Sequence, residues 1–163
     1  MKRTVVIAAV ALAAFIIGVS EMASPAHAQQ STMPKGQPTA TPDTPETAKA
    51  KADAKPVVEK WLALIDAGDY DTAWKETSQY FRDTVPQYRF VDGMKESFSK
   101  FGKLVSREAR ESKYATSIPG APDGKYVAVV YRSSFQKVKK TAEYVTTMVD
   151  RDGKWRVGGY QRR

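Results

Sequence analysis

Glu143, in the run TAEYVTTM, is the one carboxylate of this 163-residue sequence whose setting points to acid–base chemistry. Tyr144 beside it and Arg132 on the preceding apolar run supply a hydroxyl donor and a cation of the kind that tunes such a group. A plainer account is also open, because a glutamate on a strand commonly pairs with a basic residue across the ladder. Other catalytic chemistry is scarce. There is no cysteine, and His27 is the single histidine. Once His27 leaves with the leader described below, neither imidazole nor thiol remains. Ser–His and Cys–His nucleophiles, the usual zinc sites, haem ligation and disulfides then go together. No metal and no cofactor is expected. The turn DRDG at 150–153 begins like a calcium loop but lacks its third acidic ligand and closing glutamate, so it reads as a hairpin turn. Trp61, Trp74 and Trp155 read as core rather than as a ligand cage.

A second set of candidates is basic. The chain carries a net charge of +8, and the surplus is not evenly spread. Residues 29–124 hold 14 basic and 14 acidic side chains, whereas residues 125–163 hold 10 and 3. Lys137, Lys139, Lys140, Arg162 and Arg163 are the candidates for binding an anion or a partner. If the last three strands form a meander, these five gather at one end of the sheet, with Lys100 and Lys103 beside them. Asp123, Asp150 and Asp152 then mark the opposite end. Such a rim either attracts an anionic envelope component or acidic protein, or is a solvated edge that discourages strand pairing. No helix-turn-helix, RNP or zinc-finger pattern is present, so nucleic acid is not an expected partner.

The elements that must position these residues are readable from periodicity. Val57, Trp61, Leu64 and Ile65 fall at helical spacing in a segment starting near Thr44 to Glu46, and Gly68 supplies a left-handed stop. Pro56 suits the true first turn of that helix, leaving the Ala/Lys run before it frayed. Asp69 can cap a second helix, in which Tyr70, Ala73, Trp74, Thr77 and Phe81 share a face. A third spans about 86–101 and ends at Gly102. The period then becomes two, predicting strands over 103–116, 125–135, 141–149 and 154–161, separated by segments of hairpin length and composition. The expectation is an α+β fold: three N-terminal helices packed on a curved four-stranded antiparallel sheet.

Residues 1–28 read as a signal peptide, with Lys2 and Arg3, an apolar run at 5–19 and cleavage after Ala28. That run falls short of the about 20 residues of a comfortable membrane span. Residues 29–45, rich in Pro, Thr and Gln, read as a disordered linker, and 46–163 as a single domain. The expected location is periplasmic or secreted.

Trp61, Ile65-Asp66, Gly68, Tyr70 and Trp74, then Pro119-Gly120, Pro122-Asp123-Gly124, Tyr126, Phe135 and Glu143, then Asp152-Gly153, Trp155-Arg156-Val157 and Gly159-Tyr160 carry a resemblance. The segment from Ala48 onward resembles the bacterial secreted domain-of-unknown-function family 4019, which is similar to the cone-shaped folds of the nuclear-transport-factor-2-like group. The resemblance implies helices closing a curved sheet over a pocket, and it brings no activity. The functional expectation is a periplasmic or secreted non-enzymatic domain that binds a small ligand, a protein or an envelope component. The alternative is an isomerase- or lyase-like enzyme using Glu143. An open sheet face would also allow a homodimer.

Overall fold

The computed structural model describes residues 44–163. The expected leader, its cleavage site and the linker up to residue 43 lie outside the described residues. Helix α1 (Pro45–Ala67) starts where the sequence places it, because Thr44 closes a capping box with Thr47. Pro45 occupies the first turn, where its missing N–H costs nothing. Pro56 instead lies inside the helix. The segment before it is not frayed, since Ala50 and Ala54 are buried on the core side. Gly68 ends α1 at φ 78°, donating its N–H to the Ile65 carbonyl. Asp69 then caps the next helix through the Thr72 N–H at 3.1 Å.

The expected second helix is two. Helix α2 (Tyr70–Lys75) stops, and α3 (Gln79–Thr84) begins afresh. Between them Thr77 forms a bridge with Val157, and the Ser78 N–H donates to the Val157 carbonyl at 2.8 Å. The last strand thus competes successfully for a backbone donor that a continuous helix would use. Ser78 caps the new helix with its hydroxyl, and Phe81 still reaches the core, which is why the apolar spacing survives the break. Helix α4 (Gln87–Phe101) ends at Gly102, where φ is 74°. Among the described residues the helices therefore number four rather than three.

Strands β1 (Leu104–Ala115), β2 (Tyr126–Phe135), β3 (Thr141–Val149) and β4 (Trp155–Arg162) form one antiparallel sheet in the order β1-β2-β3-β4. Irregularities near Val105 and Arg110 in β1, and near Gly158 in β4, bend the sheet about its inner face. Val58, Trp61 and Ile65 of α1 pack there with Val127, Val129, Val145 and Val157. Helix α1 lies along the sheet: Glu46 pairs with Lys125 at 2.8 Å near one end, and Asp66 reaches Arg107 toward the other. A helix of 23 residues spans about 35 Å, so it carries Asp66 to the end at which β2 and β4 finish.

Candidate functional site

Alternation along β3 sends Glu143, Val145 and Thr147 to the inner face, and Glu143 is completely buried. Its partners come from the other three strands. Arg107 of β1 grips the carboxylate with two donors, Nε to Oε2 at 2.6 Å and Nη2 to Oε1 at 3.1 Å. Ser133 of β2 donates its hydroxyl to Oε2, and Tyr160 of β4 donates its hydroxyl to Oε1. Arg162, facing Glu143 in the ladder, adds Nε to Oε1 at 3.2 Å. Arg107 extends the cluster to helix α1 through two further bonds to Asp66, one of them 3.0 Å long. The side chains of Arg107 and Asp66 are 11% and 24% exposed, so the cluster meets solvent on the α1 side.

Five donors on one carboxylate decide its protonation state. Burial alone would push the Glu143 carboxyl up, but the hydrogen bonds from Arg107, Ser133 and Tyr160, with the charge of Arg107, hold it below the ordinary value. Burial, then the adjacent carboxylate, push the Tyr160 hydroxyl well above the usual tyrosine value. For Arg107, burial favours loss of charge, and the two carboxylates outweigh it. An ionised glutamate, two guanidinium ions and a neutral tyrosine therefore share the site. The arrangement immobilises charge and offers no loosely held proton.

Arg162 does not belong to an exposed rim. Its side chain is 4% exposed and turns inward, with the guanidinium among Phe98, Phe101, Phe135 and Tyr160. Alternation is the reason, because the residue opposite Glu143 must share its face. Arg132 and Tyr144, the suggested companions of Glu143, lie on the other face. Arg132 is exposed opposite Ala142, and Tyr144 stands under the guanidinium of Arg163 at 5.8 Å. The cross-strand partner foreseen for Glu143 exists, but it is Arg162, with Arg107 added from the edge strand.

The remaining basic candidates do converge. Lys137, Lys139, Lys140 and Arg163 are exposed around the β2–β3 turn and the end of β4. Ala142 and Arg163 exchange backbone bonds of 2.8 and 2.9 Å, and the Gln136 N–H donates to the Lys103 carbonyl, so Lys103 stands at the same end. Lys137 is partly committed, donating Nζ to the Ser99 carbonyl at 2.8 Å, and Lys100 pairs with Glu96. Asp150 and Asp152 lie at the far end, clamped by Arg156.

Arg107, Ser133, Tyr160 and Asp66 went unrecognised as a site in the sequence. Counting back from the turn at 150–153 sets Glu143 opposite the last residues of β4, which is the signal for Arg162 and its neighbour Tyr160. Arg107 carries no such signal, since its strand reads as a charged edge.

The family model described as protein of unknown function (DUF4019) matches residues 57–160. The chain belongs to the DUF4019 family. No curated protein and no solved structure matches it. The DUF4019 segment contains Asp66, Arg107, Ser133, Glu143 and Tyr160, so nearly the whole buried cluster falls within it, while Arg162 lies just past its end.

Proposed function

We propose that this DUF4019 domain is an exported, periplasmic or secreted, non-enzymatic module that binds an anionic envelope component through the basic end of its sheet. The observation that carries the reading is a contrast between two groups of charges. At the inner site each ionised group is matched by protein partners. At the basic end, Lys103, Lys139, Lys140 and Arg163 are exposed and make no ion pair among the described residues. Clustered cations of this kind act together within a Debye length of about 8 Å at physiological salt. The isomerase- or lyase-like alternative asks Glu143 to take up and release a proton near neutral pH. Its saturated hydrogen bonding and lowered pKa favour the binding role instead. Helices gathered on one face of a bulged sheet support a cone-shaped, nuclear-transport-factor-2-like architecture, closed here by side chains.

Cosedimentation with anionic phospholipid vesicles tests the reading. Lys139→Glu with Arg163→Glu should abolish most of the binding at low salt, whereas Arg151→Glu with Lys154→Glu, at the far end, should leave it nearly unchanged. Equal losses from the two pairs, or binding by the parent protein that does not weaken as salt rises, would contradict it. Both pairs should leave stability close to that of the parent, because exposed charges contribute little to folding.

A further inference from the structure

Arg162 is enclosed in a manner that suits a bound ligand. Its guanidinium carbon lies 4.7 Å from the ring centroids of Phe98 and of Phe135, 5.3 Å from Tyr160 and 5.6 Å from Phe101. Glu143 accepts from its Nε, and Ser97 of helix α4 accepts from its Nη1 at 3.2 Å. Aromatic faces combined with a carboxylate attract organic cations, because ring quadrupoles and full charge act together where water is excluded.

Two features set this cation apart from Arg107. Arg107 engages all three of its guanidinium nitrogens, gripping both Asp66 and Glu143 through paired bonds. Arg162 reaches Glu143 through Nε alone, and its Nη2 is buried without a hydrogen-bond partner. The box therefore fits a guanidinium in shape and charge while leaving one of its nitrogens without a partner. Secondly, Asp66, Arg107 and Glu143 by themselves carry one net negative charge, so the box remains a seat for a cation when Arg162 is withdrawn. Strand β4 pairs with β3 alone at this end, and the Ala142–Arg163 backbone pair is the next tie.

We propose that the box formed by Phe98, Phe101, Phe135, Tyr160 and Glu143 is a recognition site for a guanidinium-bearing ligand, and that Arg162 occupies it as the chain's own ligand. The site is shut while the end of β4 lies on β3 and opens when that end peels away. This site is distinct from the basic end and takes a ligand of the opposite charge. An occupant tethered to the same chain has a high effective concentration. A free ligand therefore binds the parent protein weakly, its affinity reduced by the fraction of molecules in which the box is open.

Chemical rescue tests the assignment. In the full chain, Arg162→Gly should lower the melting temperature, and N-ethylguanidinium at millimolar concentration should restore it saturably. At ten times its dissociation constant, the ligand should raise the folding equilibrium constant about tenfold. Urea, planar and similar in size but uncharged, should give no rescue, and Glu143→Gln in the same background should remove it. A folded Arg162→Gly variant that shows no saturable rescue, or equal rescue by urea, overturns the site. The parent protein tests the displacement separately and decides the matter if Arg162→Gly does not fold. N-ethylguanidinium should accelerate amide exchange at Ala142 and Arg163 severalfold and leave Val127 and Val145 unchanged. Unaltered exchange at Ala142 and Arg163 overturns the claim that Arg162 is a displaceable occupant.

Discussion

Replacing Glu143 by alanine removes the shared acceptor of Arg107, Ser133, Tyr160 and Arg162 in one step. Two guanidinium groups then lose a counter-charge inside the domain. Breaking a buried pair in this way costs roughly 3–5 kcal/mol, so Glu143→Ala should show a large drop in urea midpoint at neutral pH. The pH dependence has a definite sign. The folded carboxyl titrates below its unfolded value of about 4.3, so between the two values the native state binds fewer protons than the unfolded chain. The stability that Glu143 contributes is thus complete above about pH 5 and is lost as pH falls through the folded value. Midpoints measured from pH 7 to pH 3 should show the gap between parent and Glu143→Ala narrowing below about pH 4. A gap that stays constant to pH 3 would show that the ionised form is not what matters. In the sequence, Glu143 stands out as the one carboxylate of the apolar run 141–149, and only the fold shows that it faces inward. Arg107 does not, because an arginine between Ser106 and Glu108 reads as solvated, and its burial arises only when the bulged edge strand curls over α1.

Caps and turns explain which elements were legible. Thr44, Gly68, Asp69 and Gly102 act through their immediate neighbours, and the boundaries they mark hold in the structure. The break between α2 and α3 depends on a strand about 80 residues away in sequence, and no local signal announces it. Asp150 fixes the far side of that break. Its carboxylate accepts from the Gln79 N–H at 2.8 Å and from Arg156, tying the β3–β4 turn to the start of α3. Burial pushes the Asp150 carboxyl up, and the backbone bonds from Gln79 and Arg151 with the charge of Arg156 bring it below the ordinary value. Asp150→Ala should therefore cost about 2 kcal/mol, the range of charge-assisted bonds. It should also raise amide exchange at Gln79 more than at Val58 in the core. Equal protection at Gln79 in the two proteins would show that Ser78 alone holds the helix start.

Among the described residues, carboxylate and guanidinium groups that face inward are matched, and Lys103, Lys139, Lys140 and Arg163, which are exposed and make no ion pair, stand where β2, β4 and the β1 entry meet. The meander implies that placement from sequence alone, since hairpin turns fix which strand ends lie together. It could not separate Arg162 from Arg163, because adjacent residues on one strand face opposite ways and only the register with β3 tells which is inside. The contents of the interior were likewise hidden, because they depend on long-range contacts, Phe101 with Phe135 at 5.5 Å, Phe98 with Tyr70 at 5.6 Å and Trp61 with Tyr160 at 5.2 Å. The proposed binding role rests on an interior carboxylate, Glu143, that stays ionised through the neutral range. A carbon-13 NMR titration of the Glu143 side-chain carboxyl from pH 8 downward tests it most directly. The resonance should stay at its ionised position through the ordinary glutamate range near about pH 4.3, moving only at lower pH or on unfolding. A midpoint near neutral pH would contradict the account and return Glu143 to the role of a general acid or base.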